Sequence, residues 1–562
     1  LSVQSPFIIF LCFGFIDKHR KFVLLIYTFT IMSKEITKQQ QITGWVVFDW
    51  ANSAYNLVIV STVFPIIFKA FVPDGSEFIG ITFKSSDSLY TYAMCFSYLI
   101  ISIITPILSG IADYGGYKKR YMQFFSTMGA FACASLFLFG PDDQWIGICG
   151  VIIASIGFSG SLVFYNGFLS EIVPKKLHDK VSAKGFSYGY LGSSILLILI
   201  ILLDRSKELF GVLNEKDPII FRIGFILVGI WWFGWARWTF SVLPKGKKTD
   251  LPKKEMMAKG FEELKHVWHQ LKQLPRLKRF LSAFFIIDLG VQTIVIIAPL
   301  FAIKVFGMEG GELVPLVLIM QFLGIAGALI FSKISKKYGN TVALIGPTIV
   351  YLSVCILACI ANNASIINEK PGVVKYENFK EGVNYKTNTI IINKNKKQES
   401  IVIKNKEGNT IPIIKIIEKN DQEIKYPLPV SAVLKVKNGE NIKAGKTIAV
   451  IPSQRWIIYL IAAMIGFAMG GIQSLFRSTY SKLLPNTKDH ASFFSFFDIT
   501  EKIAIVVGLF VYAGVEVIAS GMKGGFAEKL GVATLGLFFL VGLLLLRRLG
   551  KFKPLKPTTE DF

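Results

Sequence analysis

Twelve apolar runs, each long enough to cross a bilayer as a helix, decide what this 562-residue chain can become. They lie at roughly 44–68, 89–112, 121–140, 145–168, 185–203 and 220–243, and then at 279–303, 313–334, 341–361, 455–479, 493–517 and 530–549. About 20 such residues span a hydrocarbon core of ~30 Å, and a backbone inside lipid must satisfy its own hydrogen bonds, as a helix does. Hydrophobic residues make up 52% and charged residues 18% of the chain. The expected fold class is therefore an all-α membrane protein of twelve transmembrane helices in two sets of six.

Lys and Arg outnumber Asp and Glu, 62 to 38, but the surplus sits in short loops between the runs rather than in a stripe that would track nucleic acid. Basic clusters follow the second span (Lys118, Lys119, Arg120), the fourth (Lys175, Lys176, Lys180, Lys184), the eighth (Lys333, Lys336, Lys337) and the twelfth (Arg547, Arg548, Lys551, Lys553). The positive-inside rule then places both termini in the cytoplasm. Residues 1–31 hold two short apolar runs split by DKHRK and precede a start-like MSKEITKQQ at Met32. They read as an upstream extension of a working protein whose cytoplasmic tail ends at residue 43. The six cysteines all lie in apolar runs, which suggests neither a disulfide framework nor a thiolate metal site.

Two stretches interrupt the spans. The linker 244–278 is lysine-rich, and Phe261, Leu264, Trp268 and Leu271 fall on one stripe of an amphipathic helix expected on the membrane surface or the bundle. His266 and His269 stand three apart there with no acidic or cysteine partner, so a solvated face is the reading and no metal is expected. Residues 362–454 alternate runs such as NTIIINK and IPIIKII with polar turns, a strand-and-hairpin composition. They should form a β-rich insertion on the non-cytoplasmic side between spans nine and ten, a candidate surface for a protein partner. Its end, PVSAVLKVKNGENIKAGKTIAVIP, resembles half of a lipoyl-like barrel without the carrier lysine motif. GENIKAGKT within it mimics a phosphate-binding loop, but one residue too many separates its glycines, and no helix should follow.

The halves look like copies. FDWANSAYNLV around Asp49 echoes IIDLGVQTIVI around Asp288: each sets a carboxylate inside a span with an amide close behind, Asn52 in one and Gln292 in the other. VFYNGFLSEIVP and SLFRSTYSKLLP end the fourth and tenth spans alike. Parallel six-span repeats around a midplane site are the major facilitator architecture, with a domain of spans 44–243, spans 279–361 and 455–549 for the second half, and a tail from 550.

PILSGIADYGGYKKR resembles the loop motif of the major facilitators, whose carboxylate, glycine and basic residues tie neighbouring helix ends together. Here those positions are Asp113, Gly116, Lys118 and Lys119, a gating motif by resemblance. In the second half, SKISKKYGN has Lys336 where the carboxylate would stand. FDWANSAYNLVIVSTVFPIIF, YNGFLSEIVP, SAKGFSYGYLGSS and GGIQSLFRSTYSKLLPNTKDHASFFSFFDITEKIAIVVGLFVY resemble the vacuole effluxer family, the autophagy-related protein 22-like major facilitators and their bacterial relatives. The resemblance implies a transporter of small solutes, amino acids by the fungal namesake, here in a bacterial plasma membrane.

A coupled transporter needs groups that change charge inside the membrane. The intramembrane carboxylates are Asp49, Asp288, Asp498 and Glu501, with Asp288 nearest the midplane and the first choice for proton coupling or a substrate amine. Asp498 and Lys502, four apart, can pair along one helix and leave Glu501 to other spans. Arg477, at the end of the tenth span, is a candidate for a substrate carboxylate. The alternative is a non-transporting receptor or scaffold acting through the β-rich insertion. No nucleophile with a paired base, metal cluster or phosphate loop is present to suggest an enzyme, and no cofactor is implied.

Overall fold

The computed structural model describes residues 36–83, 86–210, 219–246, 253–306, 308, 310–361, 365–377, 413–418, 422–428, 433–450, 456–519 and 526–550. Lys38–Phe562 form one compact unit; of the unit before it, Leu1–Thr37, only residues 36 and 37 are described. The extension expected at 1–31 and the tail after residue 550 thus lie outside the described residues.

The first span opens as α1 (Lys38–Ala54), loosens into a π-helical stretch at Tyr55–Thr62 and closes as α2 (Val63–Phe71). A short hairpin of β1 (Glu77–Phe78) and β2 (Ile81–Thr82) leads to α3 (Ser86–Gly115) and α4 (Lys118–Ser135). The N-terminal half ends with α5 (Gln144–Ile172), α6 (His178–Phe210) and α7 (Ile219–Val242). The linker helix α8 (Lys253–Gln273) precedes α9 (Pro275–Phe306), α10 (Gly310–Tyr338) and α11 (Asn340–Ile360). After the insertion come α12 (Trp456–Leu483), α13 (His490–Ile518) and α14 (Phe526–Arg548).

Among the described residues eleven spans are long and apolar enough to cross a membrane on composition alone. α13 is as long, at 29 residues, but Asp498, Glu501, Lys502 and Glu516 put three charges in any stretch of it that could cross. It packs against α3, α5, α9 and α14, and Asp498 and Lys502 are buried inside the bundle, where intramembrane charges belong.

Each half has its own apolar core. Trp45, Phe64, Tyr165, Phe168 and Trp232 anchor the first, and Phe280, Phe284, Tyr351, Tyr480 and Phe539 the second. The halves meet where α3 lies against α13 and where α6 lies against α10 and α12. Within each half, small residues let neighbouring helices approach closely. A Cβ on Gly189 would come within 2.4 Å of Ser53 Oγ, and one on Gly470 within 1.9 Å of the Gly324 carbonyl.

The insertion folds into antiparallel sheets from β3 (Ser365–Ile367), β4 (Gly372–Glu377), β5 (Ile413–Ile417), β6 (Glu423–Pro427), β7 (Val433–Leu434), β8 (Asn441–Ile442) and β9 (Thr447–Val450). The strand orders are β3-β9-β7 and β6-β5-β4-β8, around Val374, Ile414, Ile416, Leu434 and Ile448. Gly439 and Gly445 take φ of 84° and 83° at turns between strands, so the sequence that mimics a phosphate loop runs into β9 rather than a helix.

The linker helix departs from its expected stripe. Val267 and Leu271 face inward together with Gly260, whereas Phe261 and Trp268 stay half exposed. The cause is backbone contact: a Cβ on Gly110 of α3 would come within 2.3 Å of the Gly260 carbonyl. That contact sets the glycine face against α3, while Trp268 meets Phe496 of α13 with ring centres 5.6 Å apart.

Candidate functional site

The two halves converge at the linker end of the bundle, where α6 lies against α10 and α12. There Asp49 of α1 faces Arg477 of α12, with Nη2 to Oδ2 at 2.9 Å and Nη1 to Oδ1 at 3.4 Å. The guanidinium also donates through Nε to Ser182 Oγ and through Nη2 to the Ser182 carbonyl, both at 3.0 Å. Its carbon lies 4.2 Å from the ring centre of Phe186, 4.7 Å from Trp45 and 5.4 Å from Tyr165. Asp49 is 5% and Arg477 4% exposed, so this pair works where water hardly screens it. Arg477, expected to wait for a substrate carboxylate, therefore already holds one from the other half.

A second junction is built on Asp179 at the start of α6. It accepts from Lys482 Nζ at 2.5 Å, Ser335 Oγ at 2.7 Å and Asn340 Nδ2 at 2.8 Å. Ser335 and Asn340 belong to SKISKKYGN, the copy of the loop motif with Lys336 in the acidic position. The missing carboxylate is supplied from the opposite half.

The third junction uses the intact motif. Asp113, at the end of α3, accepts the amides of Ser492 at 2.7 Å and Ala491 at 3.2 Å in the first turn of α13, where unpaired N–H groups and the helix dipole favour a negative charge. Lys118 bridges Asp113 at 3.4 Å and Glu171 at 2.9 Å. Gly116 takes φ of 69° to turn the chain, and Lys119 donates to the Leu243 carbonyl at 2.8 Å. Nearby, Ser170 and Ser481 Oγ atoms are 2.6 Å apart, and Lys175 reaches the Leu484 carbonyl at 2.8 Å. Together these bonds shut the two halves against each other at the linker end.

Deeper in the membrane lies a charged cluster. Lys502 Nζ stands 3.5 Å from Glu501 and 3.6 Å from Asp498, and 5.5 Å from the ring of Tyr98 on α3. Glu501 is thus shared by Lys502 rather than left free for other spans, because the lysine stem lies between both carboxylates. Glu501 and Lys502 are also the charges that act on Asp288, which is 2% exposed and carries an oxygen, Oδ2, without a hydrogen-bond partner. Gln292 is half-buried one turn on. Asp498 Oδ2 and Asn52 Nδ2 are likewise buried and unpartnered. The echo between Asp49 and Asp288 does not extend to their partners: one pairs across the halves, the other faces α13 of its own half. Tyr190 of α6 donates to Gln473 of α12 at 2.8 Å, a polar tie between the halves closer to the middle.

The residues that sequence reasoning passed over are Trp45, Tyr165, Ser182 and Phe186 around Arg477, and Asp179, Ser335, Asn340 and Lys482 beside it. One signal was available: Trp45 precedes Asp49 by four, and Ser182 precedes Phe186 by four, spacings that share a helical face. Among the described residues no group of three His, Cys, Asp or Glu side chains is placed to hold a metal ion.

The chain matches the family described as "Vacuole effluxer Atg22 like" over residues 37–178, 170–376 and 450–548. It belongs to that family. It is 29% identical over 334 residues to the MFS-type transporter YxiO of Bacillus subtilis, covering 58% of this chain and 74% of the relative. To autophagy-related protein 22-1 of Penicillium rubens it is 20% identical, covering 84% of each. Among solved structures, the human organic anion transporter MFSD10 superposes with a TM-score of 0.56 at 10% identity, over 91% of this chain and 99% of that one. The major facilitator FucP in its outward conformation gives 0.53 at 12%, over 92% and 98%. At such identities the likeness concerns fold. The chain is a multi-pass membrane protein with the major facilitator fold, from a family of transporters.

Proposed function

We propose that this vacuole effluxer relative moves small polar solutes, amino acids and related zwitterions among them, by alternating access coupled to protons. In this reading it sits in a bacterial plasma membrane with both termini and the linker in the cytoplasm, so the shut end is the cytoplasmic gate. The observation that carries the reading is the cluster of Asp288, Asp498 and Lys502, buried in the bundle with half-buried Glu501 beside them and unpartnered oxygens on Asp288 and Asp498. Desolvation favours the neutral form of a carboxyl group and a nearby cation favours the charged one. A cluster holding three acids and one lysine can therefore gain and lose a proton as its surroundings change between states. Asp49 with Arg477, Asp179 with Lys482, and Asp113 with the first turn of α13 act as bonds that form in one state and part in the other.

The test is flux into proteoliposomes, with an amino-acid and small-metabolite mixture read by mass spectrometry with and without an imposed pH gradient. The reading predicts gradient-driven accumulation of at least one polar solute by the wild type. Asp288→Asn should keep downhill exchange and lose accumulation. No flux of any solute through correctly folded protein, or accumulation equal in Asp288→Asn and wild type, would overturn it.

A further inference from the structure

The groups that hold the guanidinium of Arg477 belong to the opposite half from Arg477 itself. Asp49 and Trp45 come from α1, Tyr165 from α5, and Ser182 and Phe186 from α6. They also hold one another. Trp45 Nε1 donates to the Tyr165 carbonyl at 2.8 Å, and the two rings stack at 4.4 Å with 13° between their planes. Gly185 leaves the room: a Cβ there would come within 2.4 Å of Asp49 Oδ2 and 2.9 Å of Arg477 Nη2. The receptor is thus a preformed part of one rigid body, and the guanidinium is a guest from the other.

Opening of the linker end withdraws the guest, because α12 moves with its own half. What remains is a carboxylate, a serine hydroxyl and carbonyl, and three aromatic faces, opened to the central space. A buried carboxylate stripped of its counter-ion is strongly disfavoured. Aromatic faces around an anion select organic cations, and two carboxylate oxygens presented to one planar group select a guanidinium geometry.

We propose that in the conformation open at the linker end this receptor binds the cationic head of the transported solute, an alkylguanidinium or alkylammonium group. Arg477 acts there as a tethered competitor that expels the head when the halves close. The proposal rests on the transporter reading above and names the solute class that reading leaves open. Binding at the receptor and closure of the gate are mutually exclusive, so a cationic solute holds the gate open.

Two measurements on the full-length protein test it. The first is calorimetric binding of agmatine and choline, with L-lactate and succinate, which carry no cationic group, as controls. Cation binding should tighten at least tenfold in Arg477→Ala, weaken at least tenfold in Asp49→Asn, and weaken several-fold in Trp45→Leu and Phe186→Leu, which keep the ion pair. The second is the rate of disulfide formation between cysteines placed at Ser170 and Ser481 with Arg477 intact. Agmatine should slow it severalfold and L-lactate should not, and Asp49→Asn should abolish the effect; a merely structural ion pair would not respond. Cation binding indifferent to Asp49→Asn and to the cage variants, or disulfide formation indifferent to agmatine, overturns the proposal. Should neutral or acidic solutes be transported without help from Asp49, the transporter reading stands and this one falls. Should nothing bind or cross, both fall.

Discussion

Arg477 reaches from α12 into a pocket of the other half, so the free energy of its pairing counts only when the halves are closed. Removing one member of a buried ion pair costs about 3–5 kcal/mol, mostly because the survivor stays buried without a counter-ion. Asp49→Asn should therefore shift the population away from the closed state, with alkylation of a cysteine placed at Ser481 rising on the order of 100-fold. An unchanged rate would show that the pair holds nothing shut. Asp113 works differently, by accepting backbone amides at a helix start. Asp113→Ala should cost about 1–2 kcal/mol of closure through the lost cap, whereas Asp113→Asn keeps the acceptor and loses mainly the charge toward Lys118. The same accessibility measurement should rank the two, with the alanine variant the more open.

Glu263 adds a pH response outside the membrane. Burial, followed by the carboxylate of Asp489 at the foot of α13, raises it from about 4.5 to about 7, with His266 opposing and Asp113 adding to the rise. A carboxyl raised on docking binds its proton more tightly when α8 is docked than when it is loose. Docking is then strongest below about 4.5, weakens as pH climbs toward 7, and levels off above it. Protection of α8 from hydrogen exchange, taken relative to the intrinsic base-catalysed rate at each pH, should fall between pH 5 and pH 8, and Glu263→Gln should flatten that profile. A profile that stays as steep in Glu263→Gln would remove Glu263 as its cause.

At the level of elements, α8 depends on a glycine pair. A side chain on Gly260 would come within 2.7 Å of Ile111, and one on Gly110 would strike the Gly260 backbone at 2.3 Å. Gly260→Leu should release α8 to limited proteolysis while the bundle keeps its helicity. Protection equal to that of the wild type would mean that α8 is held from elsewhere.

The elements also show what the sequence could disclose. Spans had to appear as long apolar runs because lipid offers the backbone no other partner, and the motif around Asp113 carried its own local spacing. α13 was legible despite its charges because its flanking run is apolar enough to need a bundle. The stripe on α8 was legible at Leu271, but the contact through Gly260 was not, because a glycine has no hydropathy to read. Partners across the halves stayed hidden for a different reason. Asp49 and Arg477 lie 428 residues apart, and Asp179 and Lys482 303 apart. Nothing in either local pattern says which distant charge will meet it. Asp179 stands among basic loop residues in the sequence, and its role depends on a fold that delivers α10, α11 and α12 to its side.

For the whole molecule, the closed linker end is one of two states that a transporter must visit. Three carboxylates of the N-terminal half, Asp49, Asp113 and Asp179, each meet groups of the C-terminal half at that end. A rigid-body rotation of the halves would part all three together. Ser170 and Ser481 sit on opposite sides of the same seam with their hydroxyls 2.6 Å apart, close enough for a disulfide between cysteines at those sites. The most direct test is solute flux through proteoliposomes containing Ser170→Cys/Ser481→Cys in an otherwise cysteine-free chain. Alternating access predicts that flux stops once the disulfide has formed and returns when it is reduced; undiminished flux through a fully cross-linked protein would contradict it.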